Sequence, residues 1–354
     1  MMTVVGWPYT KASAFNPYVK LLYDGIQQAG HGVTDMHLTR LHRLKGERVL
    51  HLHWPDYYLA NAHWAVATVR GCLYLVVCAY AKALGFRLVW TTHNLEPHRN
   101  HHPRTFALFQ RSFLCLLDGS ISLTQAAAGL ARARMPRLQR LPMAVIPHGH
   151  YRGCYPDQTT RIAARERLGL SPDAKVVLFV GGLHPYKNVD ALVEAFCRLD
   201  DEHAMLVIAG APAAEAMAVE AARWPLRHPG IRTLPRFLPD EELQYLFRSA
   251  DLCVLPFANI LNSGSLFLSL SFDTPVLVPA LGSMPEHSRD LGPRWVRLFQ
   301  GALTPELLAE ALDQGQAMKA AGVRAPLDAY GWDRIGEQHA DFFTRLLAPE
   351  AGRP

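Results

Sequence analysis

The sequence predicts an α/β protein made of two doubly wound, Rossmann-like domains that face each other across a cleft. The chain has 354 residues, more than the roughly 250–300 at which a single hydrophobic core stops growing. Short apolar runs rich in β-branched residues alternate with segments of helical period, which indicates βαβ units and parallel sheets. The alternation starts again after Pro147-His148-Gly149. Sheets of this kind bind ligands at the carboxyl ends of their strands.

The same alternation gives the expected elements. In the first half, strands are predicted at Thr3–Gly6, Gly32–Leu38, Val49–His53, Arg87–Thr92, Gly119–Leu123 and Met143–Ile146. In the second half, strands are predicted at Val176–Val180, Ala204–Ile208, Ile231–Leu234, Leu252–Leu255 and Val276–Pro279. Among the helices, we expect Asn16–Gln28, Asn61–Ala83, two basic ones at Arg104–Leu117 and Ala131–Arg140, and a last amphipathic one at Trp332–Leu347.

These elements divide the chain into three segments. Residues 1–150 form the first domain and residues 151–330 the second, with a linker rich in Gly, Pro and aromatic residues at 148–159. Residues 331–354 carry the last helix, which we expect to pack back on the first domain. The first strand is followed by Gly6-Trp7-Pro8-Tyr9. Because this is not the G-x-G-x-x-G fingerprint, the sequence argues against a dinucleotide-dependent oxidoreductase.

Composition narrows the class of protein further. The N-terminus lacks the basic start and cleavage pattern of a signal peptide. Six cysteines are scattered without C-x-x-C spacing, so we expect a cytoplasmic protein without disulfides or a zinc site. His98, His101 and His102 are clustered but lack an i, i+4 register with an acidic partner. We therefore expect no metal ion and no cofactor.

Charge is distributed unevenly between the two halves. Residues 1–150 contain 16 Lys and Arg against 6 Asp and Glu, a net charge of +10, while residues 151–354 contain 20 against 25, a net charge of −5. The basic half predicts an anionic partner, such as lipid headgroups or a lipid pyrophosphate, or else a merely solvated face. No nucleic-acid motif is present. The apolar segment Trp64–Trp90 is either a core helix or a helix that dips into a membrane surface.

A phosphate-binding loop is the strongest local motif. The buried strand ending at Val180 runs into Gly181-Gly182-Leu183-His184-Pro185-Tyr186-Lys187-Asn188 and then into a helix. Glycines let backbone N–H groups approach an anion, and a helix N-terminus adds favourable potential. Lys187 supplies a mobile positive charge for a pyrophosphate. An ordinary strand–turn–helix with a surface lysine is the alternative interpretation.

A second loop in the same domain has a similar character. Ser263, Gly264 and Ser265 open an apolar helix, and either serine is a candidate N-cap. The small side chains leave room for a phosphate at the positive end of the helix. Any capped helix shows this pattern, so the loop indicates a phosphate site only together with Gly181 and Lys187.

These motifs resemble the donor domain of GT-B glycosyltransferases. The resemblance is carried by Val177–Phe196, Phe237–Leu243, Ala250–Pro256 and Thr274–Val276. It implies that Gly181, Gly182 and Lys187 bind the donor diphosphate and that backbone near Phe237 and Leu238 reads the nucleotide base. Retaining members carry two glutamates where this chain has Ile260 and Leu268. The resemblance therefore favours an inverting reaction.

Motifs in the first domain resemble the inverting β-mannosyltransferases of bacterial exopolysaccharide assembly, of the xanthan type. They are Asn16-Pro17-Tyr18, His53-Trp54-Pro55-Asp56, Thr92-His93-Asn94-Leu95-Glu96-Pro97-His98 and Pro147-His148-Gly149-His150-Tyr151. The resemblance implies GDP-mannose as donor and a polyprenyl-pyrophosphate-linked oligosaccharide as acceptor. With the basic charge of residues 1–150 and the apolar segment Trp64–Trp90, we expect a peripheral position at the inner membrane. It gives the first domain acceptor binding through Asn16, Tyr18 and Trp54, and gives His148 a hinge position near the diphosphate.

Inversion needs a base on the acceptor hydroxyl, and we expect the first domain to provide it. Only six acids lie in residues 1–150. Asp56 and Glu96 come just after predicted strands, where ligands bind. Asp56 is the first candidate for the base and Glu96 the second, although Asp56 is also a candidate helix cap. His93, at a strand end, either contacts the donor sugar or is itself the base.

Two other functions remain open on the sequence alone. One keeps the fold but uses a UDP-sugar, as a hexosyl- or glucuronosyltransferase. The other is a non-catalytic nucleotide-binding scaffold in a polysaccharide assembly complex, which the missing glutamates motivate.

Overall fold

The computed structural model describes residues 1–10, 17–97 and 101–348. The chain divides into two compact units. Unit 1 comprises Met1–Gly149 together with Ala329–Pro354, and unit 2 comprises His150–Asp328. Each unit contains one six-stranded sheet in which all neighbouring strands are parallel. The α/β fold predicted from the sequence is thereby confirmed.

Unit 1 has the strand order β2-β1-β3-β4-β5-β6. The strands are β1 (Thr3–Trp7), β2 (Gly32–Asp35), β3 (Arg48–Leu52), β4 (Arg87–Thr92), β5 (Gly119–Ser122) and β6 (Met143–Val145). The helices are α1 (Pro17–Gln28), α2 (Trp64–Ala83), α3 (Pro103–Leu116) and α4 (Gln125–Arg134), with 3-10 turns at Leu38–Arg43, Pro55–Leu59 and Pro136–Arg140. β3 lies between β1 and β4, so the three strands end side by side at one edge of the sheet.

Unit 2 has the strand order β12-β11-β10-β7-β8-β9. Its strands are β7 (Lys175–Val180), β8 (Ala204–Ala209), β9 (Ile231–Leu234), β10 (Leu252–Val254), β11 (Val276–Pro279) and β12 (Val296–Phe299). Its helices are α5 (Arg161–Arg167), α6 (Val189–Cys197), α7 (Glu215–Arg227), α8 (Asp240–Ser249), α9 (Gly264–Ser271), α10 (Met284–Leu291) and α11 (Pro305–Ala320), with a 3-10 turn at Pro185–Lys187. The sequence did not predict β12, a half-buried edge strand paired only with β11.

The last helix, α12 (Trp332–Leu347), packs against α1 within unit 1. The two helices touch at a pair of glycines. A Cβ built on Gly336 would lie 2.1 Å from the backbone carbon of Gly25, and a Cβ on Gly25 would lie 2.2 Å from the backbone oxygen of Trp332. Only glycine permits so close a backbone approach.

One predicted helix is wrong in its bounds. The segment predicted as a helix over Ala131–Arg140 is the end of α4 followed by a separate 3-10 turn that begins at Pro136. Met135, between them, has φ −126 and ψ 84. A residue before proline avoids the helical region, and proline has no N–H to continue the helix.

Helix α2 has two apolar stripes. The buried stripe packs on the core of unit 1 and consists of Ala67, Gly71, Tyr74, Cys78 and Ala81. The exposed stripe consists of Trp64, Val66, Val69, Leu73, Val76 and Tyr80. By length and composition α2 could cross a membrane, a test that core helices of soluble proteins also pass. An apolar face left in solvent usually marks an interaction surface.

Candidate functional site

The carboxyl ends of β7 and β8 form a surface of bare backbone in unit 2. Gly181 has φ 140 and Gly210 has φ 153, a region that side chains rarely adopt. The two loops are in contact, because a Cβ on Gly210 would lie 1.9 Å from the backbone oxygen of Gly181. No side chain fits between them, so a ligand at this edge meets main-chain groups directly.

Lys187 lies beside this surface. Its Nζ would be 3.7 Å from a Cβ on Gly181, and the Oγ of Ser265 would be 3.8 Å from the same point. The ammonium lies 4.7 Å from the centre of the Phe257 ring. Burial lowers the pKa of Lys187 to about 8. The described part of the chain offers Lys187 no ion pair with a carboxylate. A desolvated cation without an acidic partner beside two glycines is the arrangement of an anion site.

The second loop, Ser263 to Ser265, lies near Gly181 at the same edge of the sheet. Ser263 caps α9 by accepting a hydrogen bond of 3.2 Å from the Leu266 N–H. Gly264 and Ser265 then form the first turn, where the helix dipole favours negative charge. Phe237 lies after β9 and is 71% exposed. Leu238, next to it, is half-buried. The structure thus brings Gly181, Lys187 and Ser265 together, whereas Phe237 and Leu238 follow a different strand.

A run of histidines occupies the corresponding edge of the sheet in unit 1. Side chains alternate along a strand, so His51 on β3 and His53 just beyond it share one face. The His53 Nδ1 is 2.9 Å from the Nε2 of His93, which follows β4. Tyr23 from α1 places its hydroxyl 3.1 Å from His53 Nε2 and 3.3 Å from His51 Nδ1. His51 Nε2 is 2.8 Å from the Thr91 hydroxyl.

These imidazoles are neutral at physiological pH. Burial lowers the pKa of His51, His53 and His93 well below the usual range, and neighbouring histidines lower it further. Each ring therefore has one N–H and one lone pair to share with its neighbours.

Trp54 has an unusual backbone beside His93. Its φ of 45 and ψ of 54 place a bulky residue in the left-handed region, which costs energy. The conformation stacks the indole on the His93 ring at 4.4 Å between centroids. Strain held in this way is common at functional sites, and Trp54 is half-buried.

Tyr18 and His148 pack behind this surface. Tyr18 is 2% exposed, and its ring contacts His93, His148 and Trp332 at 4.8–5.4 Å. His148 is also buried, and its Nδ1 lies 2.7 Å from the Gly149 oxygen. Both rings support the histidines from inside. Acceptor binding by Tyr18 stays a prediction, and Asn16 lies outside the described residues.

The two candidate bases lie in different surroundings. Asp56 is half-buried in the turn after β3. Glu96 is exposed and forms an ion pair with Arg134. Both line one pocket, whose other walls include Trp90, Asn94, Phe106 and Phe109. Of the remaining acids, Asp118 is held by Lys82, Arg87 and the Leu88 N–H. The structure thus leaves Asp56 as the less solvated of the two candidates.

Several polar groups of unit 1 have no role predicted from the sequence, although two of them, His53 and Asn94, lie within its motifs. They are Tyr23, His51, His53, Thr91 and Asn94. The spacing His51-x-His53 at the end of a strand was a usable signal, since both side chains must share a face. Tyr23 gave no such signal, because a tyrosine on a helix is typically part of the core.

Comparisons with known proteins indicate which class of protein the chain resembles. Residues 174–314 match the family model described as glycosyl transferases group 1. A GDP-mannose:glycolipid 4-beta-D-mannosyltransferase of Xanthomonas campestris pv. campestris is 29% identical, over 95% of this chain and 90% of that protein. A D-inositol 3-phosphate glycosyltransferase of Streptomyces avermitilis is 27% identical, over 83% of this chain and 67% of that protein.

Solved structures share the fold. Sucrose-phosphate synthase from Thermosynechococcus elongatus has a TM-score of 0.62 at 15% identity, covering 98% of this chain and 95% of that one. The Anabaena protein HepE in complex with UDP and glucose has a TM-score of 0.61 at 15% identity, covering 97% and 96%.

The chain is a glycosyltransferase with the GT-B fold. The bare backbone and Lys187 of this glycosyltransferase lie inside the region that matches the group 1 model, while His51, His53 and His93 lie outside it. The resemblance to the β-mannosyltransferases that the sequence suggested is confirmed by the match over 95% of the chain.

Proposed function

We propose that this glycosyltransferase moves mannose from GDP-mannose to a polyprenyl-pyrophosphate-linked oligosaccharide, with inversion at the anomeric carbon, in exopolysaccharide synthesis. The observation that carries the proposal is the similarity over 95% of the chain to a GDP-mannose:glycolipid 4-beta-D-mannosyltransferase. The similarity includes unit 1, which the group 1 model does not reach.

The residues of the chain fit such a reaction. The acceptor hydroxyl loses its proton to a base while its oxygen forms a bond to C1 of mannose. The bond between C1 and the diphosphate oxygen breaks, and GDP leaves with the electron pair. Lys187 and the backbone at Gly181 stabilise the charge that develops on the diphosphate. Asp56 is the base, because it is the less solvated of the two acids at the unit 1 pocket.

Inversion is supported by the apolar residues at positions 260 and 268, where retaining enzymes carry glutamates. Ile260 precedes α9 and Leu268 lies within it. Neither side chain can hydrogen-bond a sugar or ribose hydroxyl, and neither can serve as a carboxylate on the donor side. A single displacement with a base from unit 1 needs no group at these positions.

Unit 1 also has the features of a protein that binds a membrane surface. The exposed stripe of α2 presents Val69, Leu73 and Val76 to solvent. The net charge of +10 over residues 1–150 attracts anionic headgroups. We infer a peripheral protein on the cytoplasmic face of the inner membrane, where a lipid-linked acceptor is available.

The donor assignment is tested by incubating the purified protein with lipid-linked acceptor and either labelled GDP-mannose or labelled UDP-sugars. Transfer of mannose with β configuration is the expected result. Turnover of a UDP-sugar alone would show that GDP-mannose is not the donor and would favour a hexosyl- or glucuronosyltransferase. Nucleotide binding without transfer from any donor would favour a non-catalytic scaffold. Transfer should persist in the presence of EDTA, since we expect no metal requirement.

Membrane binding is tested by sedimentation with vesicles that contain anionic phospholipid. We expect binding that falls as salt is raised, because counter-ions screen the basic half within about 8 Å at physiological ionic strength. Replacing Val69 and Leu73 together by serine should weaken the binding that remains at high salt. Unchanged binding in that variant would remove α2 from the proposal, and salt-independent binding of the natural chain would remove the basic half.

A further inference from the structure

Three histidines of unit 1, His51, His53 and His93, are joined by a chain of hydrogen bonds. The chain runs from the Thr91 hydroxyl through His51, the Tyr23 hydroxyl and His53 to His93. The four links are 2.8, 3.3, 3.1 and 2.9 Å long. All members except His93 are fully buried.

Each link of such a chain needs one proton. A neutral imidazole has one N–H and one lone pair, and a hydroxyl has one hydrogen to donate. The chain can therefore be satisfied in only two ways, with every donor pointing towards His93 or every donor pointing away from it. A chain of mixed direction would bring like groups face to face at an imidazole, or would leave the hydroxyl hydrogen of Tyr23 without an acceptor if both histidines donated to it. Either arrangement leaves a buried polar group unsatisfied.

Thr91 selects between the two directions. Its side chain is 0% exposed, and within the described ranges its hydroxyl has His51 Nε2 as its one hydrogen-bond partner. If His51 donated to Thr91, the hydroxyl hydrogen of Thr91 would be buried without an acceptor. If Thr91 donates to His51 Nε2, nothing is left unsatisfied. The second direction is favoured because an orphaned buried donor is costly.

The direction then propagates to the surface. His51 Nδ1–H donates to the Tyr23 oxygen, and the Tyr23 hydroxyl donates to His53 Nε2. His53 Nδ1–H donates to His93 Nε2, which acts as the acceptor. The single proton of the neutral His93 ring is thereby placed on Nδ1.

We propose that Tyr23, His51 and His53, anchored at Thr91, are positioning residues that fix His93 as a hydrogen-bond donor through Nδ1. His93 then meets an oxygen of the bound sugar or acceptor as a donor, and the removal of a proton is left to a carboxylate. The use of His93 in this way rests on the proposed function. The protonation of the ring does not, because the chain sets it without any ligand.

The test reads the ring nitrogens directly. Histidine-selective ¹⁵N labelling distinguishes a protonated ring nitrogen from an unprotonated one, and a His93→Gln variant assigns the His93 signals. In the natural chain without ligand, we expect His93 to carry its proton on Nδ1. A proton on Nε2 would overturn the proposal.

Two variants interrupt the chain at different points. Tyr23→Phe removes the central hydroxyl but keeps the ring, and Thr91→Val removes the anchoring hydroxyl at similar size. Either change should convert His93 to a mixture of tautomers. Transfer activity should fall about fivefold in kcat, the size of one neutral hydrogen bond, with little change in the KM for the donor. Two variants are used so that a folding defect in one still leaves the other as a test.

Tyr74→Phe is the matched control. Tyr74 is another buried tyrosine of unit 1, and its hydroxyl has no hydrogen-bond partner among the described residues. The His93 signals and the activity should stay as in the natural chain. His93 signals that are equally unchanged in Tyr23→Phe and Thr91→Val would overturn the proposal. A chain that shows the expected tautomer but transfers no mannose would instead contradict the donor assignment.

Discussion

Unit 2 places the buried ammonium of Lys187 beside bare backbone, whereas unit 1 holds neutral imidazole rings joined by hydrogen bonds. Lys187 has no acidic partner among the described residues, and its environment favours an anion. The histidines carry no charge, and burial opposes charging them. The difference fits the proposed function, in which unit 2 receives the diphosphate of the donor and unit 1 the hydroxyl groups of the sugars.

The two sites also differ in how the chain assembles them. The groups of unit 2 come from loops after β7 and β8 and from the start of α9, and each loop can be read as a local motif. The polar chain of unit 1 joins α1 to residues at the ends of β3 and β4. The site in unit 2 can be predicted from short segments of sequence. The site in unit 1 forms only when the tertiary fold brings distant residues together.

The largest effect is expected from the proposed base. Asp56→Asn removes the proton acceptor and keeps the shape, so kcat should fall by about 10²–10⁴, the range for a positioned general base. Glu96→Gln is the matched comparison, because Glu96 lines the same pocket but is exposed and paired with Arg134. Its kcat should change less than about threefold, as expected for an exposed ion pair.

Steady-state kinetics with lipid-linked acceptor measures both variants. The opposite result, with Glu96→Gln inactive and Asp56→Asn active, would exchange the two roles. Activity equal to that of the natural chain in both variants would show that neither Asp56 nor Glu96 is the base and would undermine the assignment of unit 1 to the acceptor.

The next largest effect is expected from Lys187 of unit 2. Lys187→Ala should cost about 2–4 kcal/mol of transition-state stabilisation, which corresponds to roughly 30- to 10³-fold in kcat/KM. Lys175→Ala is the control. This lysine begins β7, the strand that leads to the Lys187 loop, but it pairs with Asp201 and Asp313. A loss below tenfold for Lys187→Ala would contradict its contact with the diphosphate.

The pH dependence of donor binding follows from the same lysine. Burial lowers the pKa of Lys187 from 10.5 to about 8. The ammonium is charged below that pH and neutral above it, and a bound diphosphate favours the charged form. Donor affinity should therefore be constant below pH 8 and fall above it, by up to about tenfold per pH unit. Calorimetric titration with the donor should show this fall in the natural chain and not in Lys187→Ala.

The sequence predicted the local structure around Gly181, Lys187 and Ser263 better than the contacts within unit 1, for a physical reason. The backbone conformation, charge and capping of these three residues depend on their immediate neighbours. The strands β7 and β8 could be placed because they are continuous apolar runs. Strand β12 was missed because it is half-buried at an edge and contains Arg297.

On the acceptor side, the sequence named His93, Trp54 and Asp56 but not what holds them. The left-handed backbone of Trp54 leaves no mark in the sequence, since tryptophan rarely adopts it. The pairing of Glu96 with Arg134 joins residues 38 apart. Tyr23 reaches His51 and His53 only because α1 packs against the sheet. Contacts of this kind follow from tertiary packing and not from local pattern.

The smallest expected effect is on the free energy of unfolding. It concerns unit 1 and not nucleotide binding by unit 2. Gly336→Ala places a methyl group within 2.1 Å of the Gly25 backbone, so α12 must shift away from α1. Overpacking of this kind costs about 1–3 kcal/mol. Because α12 also packs His339 and Phe343 against His51, the shift should disturb the histidine chain of unit 1. It should leave nucleotide binding by unit 2 unchanged.

Gly129→Ala is the control for this prediction. Gly129 lies within α4 of the same unit, and a Cβ there meets nothing within 4 Å. Alanine should stabilise that helix by up to about 1 kcal/mol. Urea unfolding of both variants, with nucleotide titration alongside, measures the difference. Equal stability of Gly336→Ala and the natural chain would mean that α12 is free to move without cost, and the support it gives to His51 would then be dispensable.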